Sequence, residues 1–282
     1  MTSNPKVAVV TGSSSGIGRE IALILARNKF TTYATMKNLQ KSSQLKSIVA
    51  EEEGGGLLQS LRFVELDVTD DNSVRTAIQT IYNESGKIDV LVNNAGYALS
   101  GAFEDLSIGE IKQQFETNVF GVIRTTQAVL PIMRKQKEGI IVNISSGAGR
   151  FGVPALSAYV SSKFAVEGVS ESMSYELEPF GIRTIIIEPG VIKTNFNNAT
   201  VVAEKSHDPN SLYTPLIKAR ENSIKRLIAN GSNPQYAAEV VLDAITDNNP
   251  KLRDLVGNDL EGWMEAKEKM SDEEFIEMMK QR

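Results

Sequence analysis

Short runs of apolar residues, each bounded by turn residues, alternate along this chain with longer stretches in which apolar residues recur at helical spacing. The alternation is typical of parallel strands that are buried on both faces and joined by helices. Because such connections cross over right-handed, we predict a doubly wound α/β fold with a mainly parallel, seven-stranded sheet, which binds ligands at the carboxyl ends of its strands. The predicted strands span residues 7–11, 31–36, 61–66, 88–93, 139–145, 183–188 and, with a weaker pattern, 252–256.

Helical periodicity fills the gaps between these strands. The predicted helices span residues 16–28, 72–84, 108–133 and 157–180. Gly86 and Gly181 follow two of them, at the position where a glycine commonly ends a helix. Ser157 is predicted to cap the start of the last of these helices.

Three stretches lie outside this alternation. Residues 51–56 (EEEGGG) are predicted to form a solvated turn. Residues 195–233 are polar, weakly periodic and long for a connection, which is typical of substrate-binding loops. The acidic tail, residues 259–282, contains the capping-box pair Ser271 and Glu274, which predicts a terminal helix. No linker divides the chain, so we predict a single domain over residues 1–282.

Composition narrows the function classes. The chain has 282 residues, a net charge of -5 and a pI near 5.2, so neither nucleic acid nor an anionic membrane is an expected partner. It has no cysteine, and the single histidine, His207, cannot build a multi-histidine site, so no metal is expected. No stretch approaches the roughly 20 apolar residues of a membrane span. The start of the sequence, MTSNPK, lacks a signal pattern, and the expected location is cytoplasmic.

A glycine-rich turn follows the first predicted strand directly, and a predicted helix begins inside it. Glycines allow the backbone to approach a pyrophosphate, and the free amides and dipole of a helix start favour its negative charge. The spacing is G-x-x-x-G-x-G, and its place between a strand and a helix indicates a dinucleotide site. Its candidate residues are Gly12, Ser13, Ser14, Ser15, Gly16, Ile17 and Gly18.

The same turn also matches the G-x-S-x-G pattern of serine hydrolases, with Ser14 as the nucleophile. That chemistry needs a histidine base, and His207 is the only histidine in the chain. A serine hydrolase is therefore kept as the alternative function.

The end of the second predicted strand should select the dinucleotide. An acidic residue there would accept the ribose 2′-hydroxyl of NAD, whereas a basic one would accommodate the 2′-phosphate of NADP. No acid occurs in residues 31–41, and Lys37 lies at the end of the strand. We therefore predict that NADP is preferred over NAD, with Ser13 as a second contact to the phosphate.

Ser146, Tyr159 and Lys163 could meet around one carbonyl oxygen. Tyr159 and Lys163 are four residues apart in a predicted helix, so their side chains should share a face. A nearby positive charge favours the phenolate, so Lys163 should lower the pKa of Tyr159 and make it a usable acid and base. Tyr33 and Lys37 have the same spacing, but Tyr33 lies in a predicted strand with Lys37 at its end, and residues four apart along a strand are distant.

Over nearly its whole length the chain resembles the short-chain dehydrogenase/reductase family, and in particular its hydroxysteroid and retinol dehydrogenase branch. Members of this family have a Rossmann-type fold. The matching motifs, in family order, are TGSSSGIG at residues 11–18, LDV at 66–68, NNAG at 93–96, Asn118 within TNVFG, Ser146, YVSSK at 159–163 and PGVIKT at 189–194.

The resemblance implies roles for individual residues toward the cofactor. Asp67 and Val68 would hold the adenine, and Lys163 would bind the nicotinamide ribose. The adenosine ribose side would be lined by Asn94, Ala95 and Gly96. The nicotinamide carboxamide would meet Ile192 and Thr194, in the loop that begins with Pro189 and Gly190.

The resemblance also implies a reaction. Ser146 and Tyr159 would donate hydrogen bonds to the carbonyl oxygen as NADPH delivers hydride to carbon, and Tyr159 would act as the general acid. Asn118 would help to hold a water that links Lys163 to solvent. Family members commonly pair through two long helices, so a homodimer or homotetramer is expected. A further alternative to the enzyme is a sensor that binds NADP without catalysing a reaction.

The substrate is expected to be an apolar ketone, aldehyde or alcohol, with a steroid-like or retinoid-like molecule as one hypothesis. Apolar residues near Tyr159 and after the PGVIKT motif would form the wall of its pocket. These residues are Phe151, Val153, Pro154, Leu156, Phe196 and Leu212.

Overall fold

A computed structural model describes residues 4–51, 59–196 and 200–280. Its strands are β1 (Val7–Val10), β2 (Thr31–Met36), β3 (Leu61–Glu65), β4 (Val90–Asn93), β5 (Leu99–Ser100), β6 (Gly139–Ile144), β7 (Ile182–Pro189), β8 (Val201–Val202) and β9 (Arg253–Val256). Seven of them form one sheet in the order β3-β2-β1-β4-β6-β7-β9, and every pairing in it is parallel. The predicted doubly wound, seven-stranded sheet is confirmed, and it is parallel throughout.

Helices lie on both faces of the sheet, and the last two of them follow its final strand. They are α1 (Gly16–Arg27), α2 (Ser43–Glu51), α3 (Asp71–Ser85), α4 (Ile108–Phe115), α5 (Gly121–Gln136), α6 (Ser157–Leu177), α7 (Thr214–Asn230), α8 (Pro234–Thr246), α9 (Asn258–Lys269) and α10 (Asp272–Lys280). One apolar core lies between the sheet and α1, α2 and α8, and a second lies between the sheet and α3, α5 and α6. No helix within residues 4–51, 59–196 and 200–280 is both long and apolar enough to cross a membrane.

The structure differs from the predicted elements in four places. Residues 214–230, within the region predicted as a loop, form the helix α7. The helix predicted over residues 108–133 is divided by a π-helical segment, Glu116–Phe120, because an extra residue is inserted into the helical turn there. Ser157 is the first residue of α6 rather than its cap, and its hydroxyl is buried without a hydrogen-bond partner. The short pair of β5 and β8 was not predicted, since two residues are too few to show a periodicity.

Other local predictions agree with the structure. Gly86 and Gly181 both follow helices in the left-handed conformation, at φ 70° and 71°. Ser271 and Glu274 exchange backbone-to-side-chain hydrogen bonds at the start of α10. Apart from Glu51, the turn predicted at residues 51–56 lies outside the described residues.

A buried polar network joins the middle of the sheet to two helices. Asn93 and Asn143 face each other across β4 and β6, and Asn93 donates to Asn143 Oδ1 at 2.8 Å. Thr125 on α5 donates to Asn93 at 2.6 Å, and Asn143 donates to Ser170 on α6 at 2.8 Å. Loss of one partner in such a network costs about 1–3 kcal/mol. The network therefore fixes α5 and α6 against the strand ends that carry the candidate site.

Candidate active site

The candidate residues gather where parallel strands end. The glycine turn follows β1, residues 94–97 follow β4, Ser146 follows shortly after β6, and residues 190–194 follow β7. Because these four strands are parallel and adjacent in the sheet, their carboxyl ends share one edge, where doubly wound folds bind their ligands.

The glycine turn has the backbone geometry that a close approach to phosphates requires. Gly12 and Gly16 have φ values of 66° and 60°, in the left-handed region that favours glycine. A Cβ atom at Gly18 would lie 2.2 Å from Asn94 Nδ2, so no larger residue fits there. Ser15 precedes α1 without making a side-chain cap, which leaves the first amides of the helix uncapped. This turn fits the pyrophosphate of a dinucleotide.

The serines of the turn have different environments. Ser13 is fully buried, and its hydroxyl donates to the Val10 carbonyl at 2.7 Å. The prediction that Ser13 contacts a phosphate therefore does not match this structure, because its side chain has no exposed surface. Ser14 is half-buried and Ser15 is exposed. Ile17 packs against the core on the α1 side.

Asn94 braces the glycine turn from the neighbouring strand. Its Nδ2 donates to the carbonyls of Thr11 at 2.9 Å and Gly12 at 3.2 Å. In return, Thr11 Oγ1 accepts hydrogen bonds from the amides of Asn94 and Ala95, both at 3.0 Å. Gly96 follows, and a Cβ there would lie 3.0 Å from Asn118 Oδ1. The NNAG motif thus holds β1 and β4 together beneath the predicted dinucleotide site.

Lys37 and Asp67 form an ion pair beside the glycine turn. Lys37 Nζ lies 2.7 Å from Asp67 Oδ2, and the Lys37 side chain is 74% exposed. Partial burial would raise the pKa of Asp67, but hydrogen bonds from Lys37 and Thr69 outweigh it and lower that pKa. Val68 beside them is buried. An exposed pair of this kind is worth about 1 kcal/mol or less, so Lys37 can exchange partners readily.

Ser146 and Tyr159 meet at the centre of the site. Ser146 Oγ accepts from the Ala148 amide at 3.2 Å, which orients the hydroxyl at the start of the short Gly147–Gly149 turn. The Ser146 hydroxyl donates to the Pro189 carbonyl at 3.4 Å, and it lies close enough to Tyr159 to act against the rise in the pKa of the phenol. The neighbouring Ser145 has a buried hydroxyl with no partner. The geometry therefore brings Ser146, and not Ser145, to the tyrosine.

Lys163 lies one turn beyond Tyr159 on α6, and both side chains are buried. Lys163 Nζ donates to the Ile144 carbonyl at 2.8 Å and lies 5.8 Å from the centre of the Tyr159 ring. Burial lowers the pKa of Lys163 to about 8, although the charge of Glu167 on the next turn acts to raise it. Lys163 is thus a buried amine that loses its proton near pH 8, well below the ordinary range of a lysine.

The expected effect of Lys163 on Tyr159 is wrong for this structure. Burial raises the pKa of Tyr159 above its ordinary value, and the two groups that act to lower it are Ser146 and Arg220. Lys163 does not lower it, because its ammonium group is directed to the Ile144 carbonyl. Tyr159 is therefore held as a neutral phenol, the form of a proton donor.

Arg220 is a residue that sequence reasoning missed. It lies on α7, within the loop region predicted at residues 195–233, and is half-buried. Its charge acts to lower the pKa of the Tyr159 phenol, against the larger effect of burial, which raises it. No motif surrounds it in the sequence, and only the tertiary position of α7 brings it to the site.

Asn118 lies in the π-helical segment and is buried. Its Oδ1 accepts from the Tyr97 amide at 3.1 Å, and its Nδ2 donates to the Tyr97 carbonyl at 3.0 Å. Nδ2 also donates to Ser162 Oγ, at 3.1 Å, beside Lys163. Asn118 therefore ties the loop after β4 to the helix that carries Tyr159.

The loop after β7 closes over the glycine turn. Pro189 and Ile192 are buried, and Gly190 and Thr194 are half-buried. A Cβ atom at Gly16 would lie 3.4 Å from Thr194 Cβ, so the two loops are in close contact.

The predicted apolar wall is formed only in part. Phe196 lies 6.1 Å from Tyr159 between ring centres, and Leu156 packs beside the same tyrosine with Val153. Phe151 instead packs into an apolar cluster with the C-terminal helices. Leu212 is 91% exposed and Pro154 is also exposed, so neither contributes to the wall in this structure.

The alternative hydrolase site is not formed. His207 is exposed in the short Glu204–His207 turn, and no hydrogen bond links it to Ser14 among the described residues. The left-handed backbone positions of the turn are Gly12 and Gly16, whereas a nucleophile elbow requires a strained conformation at the serine. Within residues 4–51, 59–196 and 200–280, no group of three or more acidic or histidine side chains could hold a metal ion.

Comparison with known proteins agrees with this geometry. The family model for short chain dehydrogenase matches residues 6–205. An uncharacterized oxidoreductase, YusZ of Bacillus subtilis, is 40% identical over 88% of this chain and 87% of its own length. Human retinol dehydrogenase 8 is 36% identical over 90% of this chain and 82% of its own length. The crystal structure of a short-chain dehydrogenase from Streptomyces avermitilis superposes with a TM-score of 0.82 at 32% identity, covering 99% of this chain and 98% of that one.

Proposed function

Because this chain belongs to the short-chain dehydrogenase/reductase family of NAD(P)-dependent oxidoreductases, we propose that it interconverts an apolar ketone or aldehyde and the corresponding alcohol, with Tyr159 as the general acid and base. The observation that carries the proposal is the burial of Tyr159 near the Ser146 side chain, with the buried Lys163 one helical turn away. When bound, the reduced nicotinamide supplies the hydride.

Four residues of the chain bind the substrate and the cofactor and transfer the proton. Ser146 and Tyr159 donate hydrogen bonds to the substrate oxygen and stabilise the charge that grows on it. Burial keeps Tyr159 protonated, so its Oη can give a proton to that oxygen. Lys163 binds the nicotinamide ribose and, in its charged form, stabilises the resulting phenolate. Asn118, which is bonded to Ser162 beside Lys163, supports the water path that returns a proton to Tyr159.

NADP is the preferred cofactor in this proposal. The support is the basic Lys37 at the end of β2, together with the absence of an acidic residue in that strand. In the ion pair with Asp67 the lysine is exposed and weakly held, so it can turn to a 2′-phosphate. The phosphates lie on the glycine turn, with adenine beside Asp67 and Val68, ribose beside Asn94, Ala95 and Gly96, and nicotinamide against Pro189, Gly190, Ile192 and Thr194.

An apolar substrate is supported by the surroundings of Tyr159. Phe196 and Leu156 present carbon surfaces to it. Likeness to retinol dehydrogenase 8 keeps a retinoid-like or steroid-like molecule as the leading hypothesis.

Self-association is also proposed. Exposed aromatic residues lie on and beside α5 and α6, the long helices through which family members commonly pair, and they include Phe120, Phe164 and Tyr175. A homodimer or homotetramer would bury them. Sedimentation of the purified protein, with Phe164→Glu as the disrupting variant, tests this.

The reaction is tested by following NADPH absorbance against a panel of carbonyl compounds that runs from small polar ketones to retinal and steroid ketones. Wild-type turnover of the bulky apolar members, lost in Tyr159→Phe while NADPH binding persists, supports the proposal. NADPH binding without turnover of any carbonyl would favour a sensor. Turnover of small polar ketones alone would reject the apolar substrate.

A further inference from the structure

The C-terminal helices α9 and α10 contact both flanks of the active site. We propose that Asp259, at the start of α9, is a positioning residue that fixes the loop of residues 189–194 for the nicotinamide end of the cofactor. This rests on the proposed function, which assigns that loop to the nicotinamide. The C-terminal helices then form part of the cofactor site, in addition to packing on the fold.

Asp259 bonds directly to the backbone of the loop. Its Oδ2 accepts a hydrogen bond from the Val191 amide at 2.9 Å. A Cβ atom at Gly190 would lie 2.5 Å from both carboxylate oxygens, and one at Gly257 would lie 2.5 Å from Oδ1. The two glycines therefore provide the space that the carboxylate occupies. A side chain at either position would displace it.

The rest of the loop is held by backbone hydrogen bonds. The Gly190 amide donates to the Val256 carbonyl at 2.8 Å, and the Ser232 amide donates to the Val191 carbonyl at 2.9 Å. Between these two anchors the Val191 amide has Asp259 as its acceptor. A hydrogen bond from a backbone amide to a carboxylate is among the stronger kinds in proteins. The next part of the loop is paired with Ser232, which accepts from the Lys193 amide at 2.8 Å. Loss of the Asp259 bond would therefore leave the Val191 amide without its acceptor and loosen the loop between Gly190 and this pairing.

The residue after Asp259 reaches the opposite flank of the site. Leu260 covers Gly147, next to Ser146, so closely that a Cβ at Gly147 would lie 2.3 Å from its Cδ2. Beyond it, Trp263 stacks on Phe151 with ring centres 5.6 Å apart, and Phe275 meets Phe151 edge-on at 5.9 Å. The cofactor loop and the Ser146 loop are thus tied together through adjacent residues of α9.

The positioning role of Asp259 must be distinguished from a stabilising effect on α9 alone. An acidic residue in the first turn of a helix stabilises that helix through its dipole, wherever the side chain points. Glu261 is in the same first turn of α9 and is exposed. Glu261→Ala therefore removes an equivalent helix-stabilising charge without touching the loop, and it is the matched control.

The experiment compares Asp259→Ala, Asp259→Asn and Glu261→Ala in the full chain. Affinity for NADPH, and for NADH, is read from the quenching of Trp263, the only tryptophan in the sequence. We expect Asp259→Ala to weaken binding of the preferred cofactor and raise its KM by about tenfold, the loss of one hydrogen bond to a charged group. The KM for the carbonyl should change little. Asp259→Asn, which keeps an acceptor oxygen, should recover most of the affinity, and Glu261→Ala should match the wild type.

Two results would overturn the assignment. One is cofactor affinity in Asp259→Ala equal to that of Glu261→Ala. The other is a red shift of Trp263 emission in Asp259→Ala that Asp259→Asn does not reverse, since detachment of the tail would then explain the loss. The first readout is cofactor affinity and the second is the attachment of the tail, and neither depends on turnover. Failure of the proposed reaction, which Tyr159→Phe tests, is therefore distinguishable from failure of this inference.

Discussion

Two tyrosines in this molecule are followed by a lysine four residues later, and the two pairs lie in different secondary structure with different hydrogen-bond partners. Tyr159 and Lys163 are both buried on α6, at the carboxyl ends of the strands. Tyr33 is buried on β2, where its hydroxyl meets Glu84, Ser85 and Arg62. Lys37, beyond the end of the same strand, is exposed and pairs with Asp67.

The difference lies in the geometry of the element that carries each pair. Four residues advance a helix by about 6 Å and return to the same face, whereas they advance a strand by about 13 Å. In α6 the spacing brings the phenol and the amine into one site. In β2 it sends them to different parts of the molecule, and Lys37 becomes a candidate for cofactor choice while Tyr33 becomes a structural anchor.

The largest effect is expected from removal of the Tyr159 hydroxyl. Tyr159→Phe should lower kcat by about 100-fold to 10,000-fold, the usual contribution of a general acid, with cofactor affinity unchanged. Tyr33→Phe is the matched control, and its kcat should equal that of the wild type. Steady-state kinetics with a responsive carbonyl measures both. Equal losses in the two variants would mean that the helical pair has no special role.

Lys163→Met should also inactivate the enzyme, yet it should stabilise the fold at pH 7. Burial lowers the pKa of Lys163 from 10.5 to about 8. Below pH 8 the folded protein carries the full cost of keeping this buried amine charged, about 3 kcal/mol for a shift from 10.5 to about 8.

The sign of the pH dependence follows from proton binding. Between about pH 8 and 10.5 the unfolded wild type binds more protons than the folded protein, so Lys163 makes wild-type stability rise with pH in that range. The advantage of the variant should therefore shrink from pH 7 to pH 10 in denaturant unfolding. A constant difference between the two proteins would contradict the lowered pKa.

A smaller effect is expected at the end of β2. Lys37→Glu should reduce the ratio of catalytic efficiencies with NADP and NAD by about tenfold or more, because a negative charge would face the 2′-phosphate. Lys41 is exposed four residues later, so Lys41→Glu is the control for a general change in surface charge. An unchanged ratio in Lys37→Glu would remove the argument for NADP.

The smallest effect concerns stability alone. Tyr33→Phe should lower the free energy of unfolding by about 1–2 kcal/mol, since a buried hydroxyl with three polar neighbours is lost. Denaturant unfolding measures this. A loss of activity without a loss of stability would be the opposite of what the strand environment predicts.

The sequence predicted the parts of the molecule that depend on local pattern. The seven strands of the sheet and the glycine turn before α1 follow from buried apolar runs and the turn residues that bound them. The placement of Tyr159 and Lys163 on one face of α6 follows from their spacing within one helix. Even the boundaries agree within a few residues, because each element has turn residues at its ends.

The features that could not be predicted depend on contacts between segments that are far apart in the sequence. Arg220 reaches Tyr159 only through the placement of α7, and Asp259 reaches Val191 only because α9 follows β9 at the edge of the sheet. The sequence predicts a lowered pKa for Tyr159, because it shows the positive charge of Lys163 four residues away. It does not show how deeply the phenol is buried, and burial raises that pKa. The π-helical segment around Asn118 could not be predicted either, because its apolar pattern does not differ from that of an ordinary helix.

The central claim is hydride transfer from a nicotinamide to a substrate carbon beside Tyr159. It is tested most directly by mass spectrometry of the alcohol formed from a responsive carbonyl with NADPH deuterated at the transferring position of its ring. The proposed reaction predicts one deuterium on the carbinol carbon with the wild type and almost no product with Tyr159→Phe. An alcohol without deuterium, or an equal yield from the variant, would contradict it.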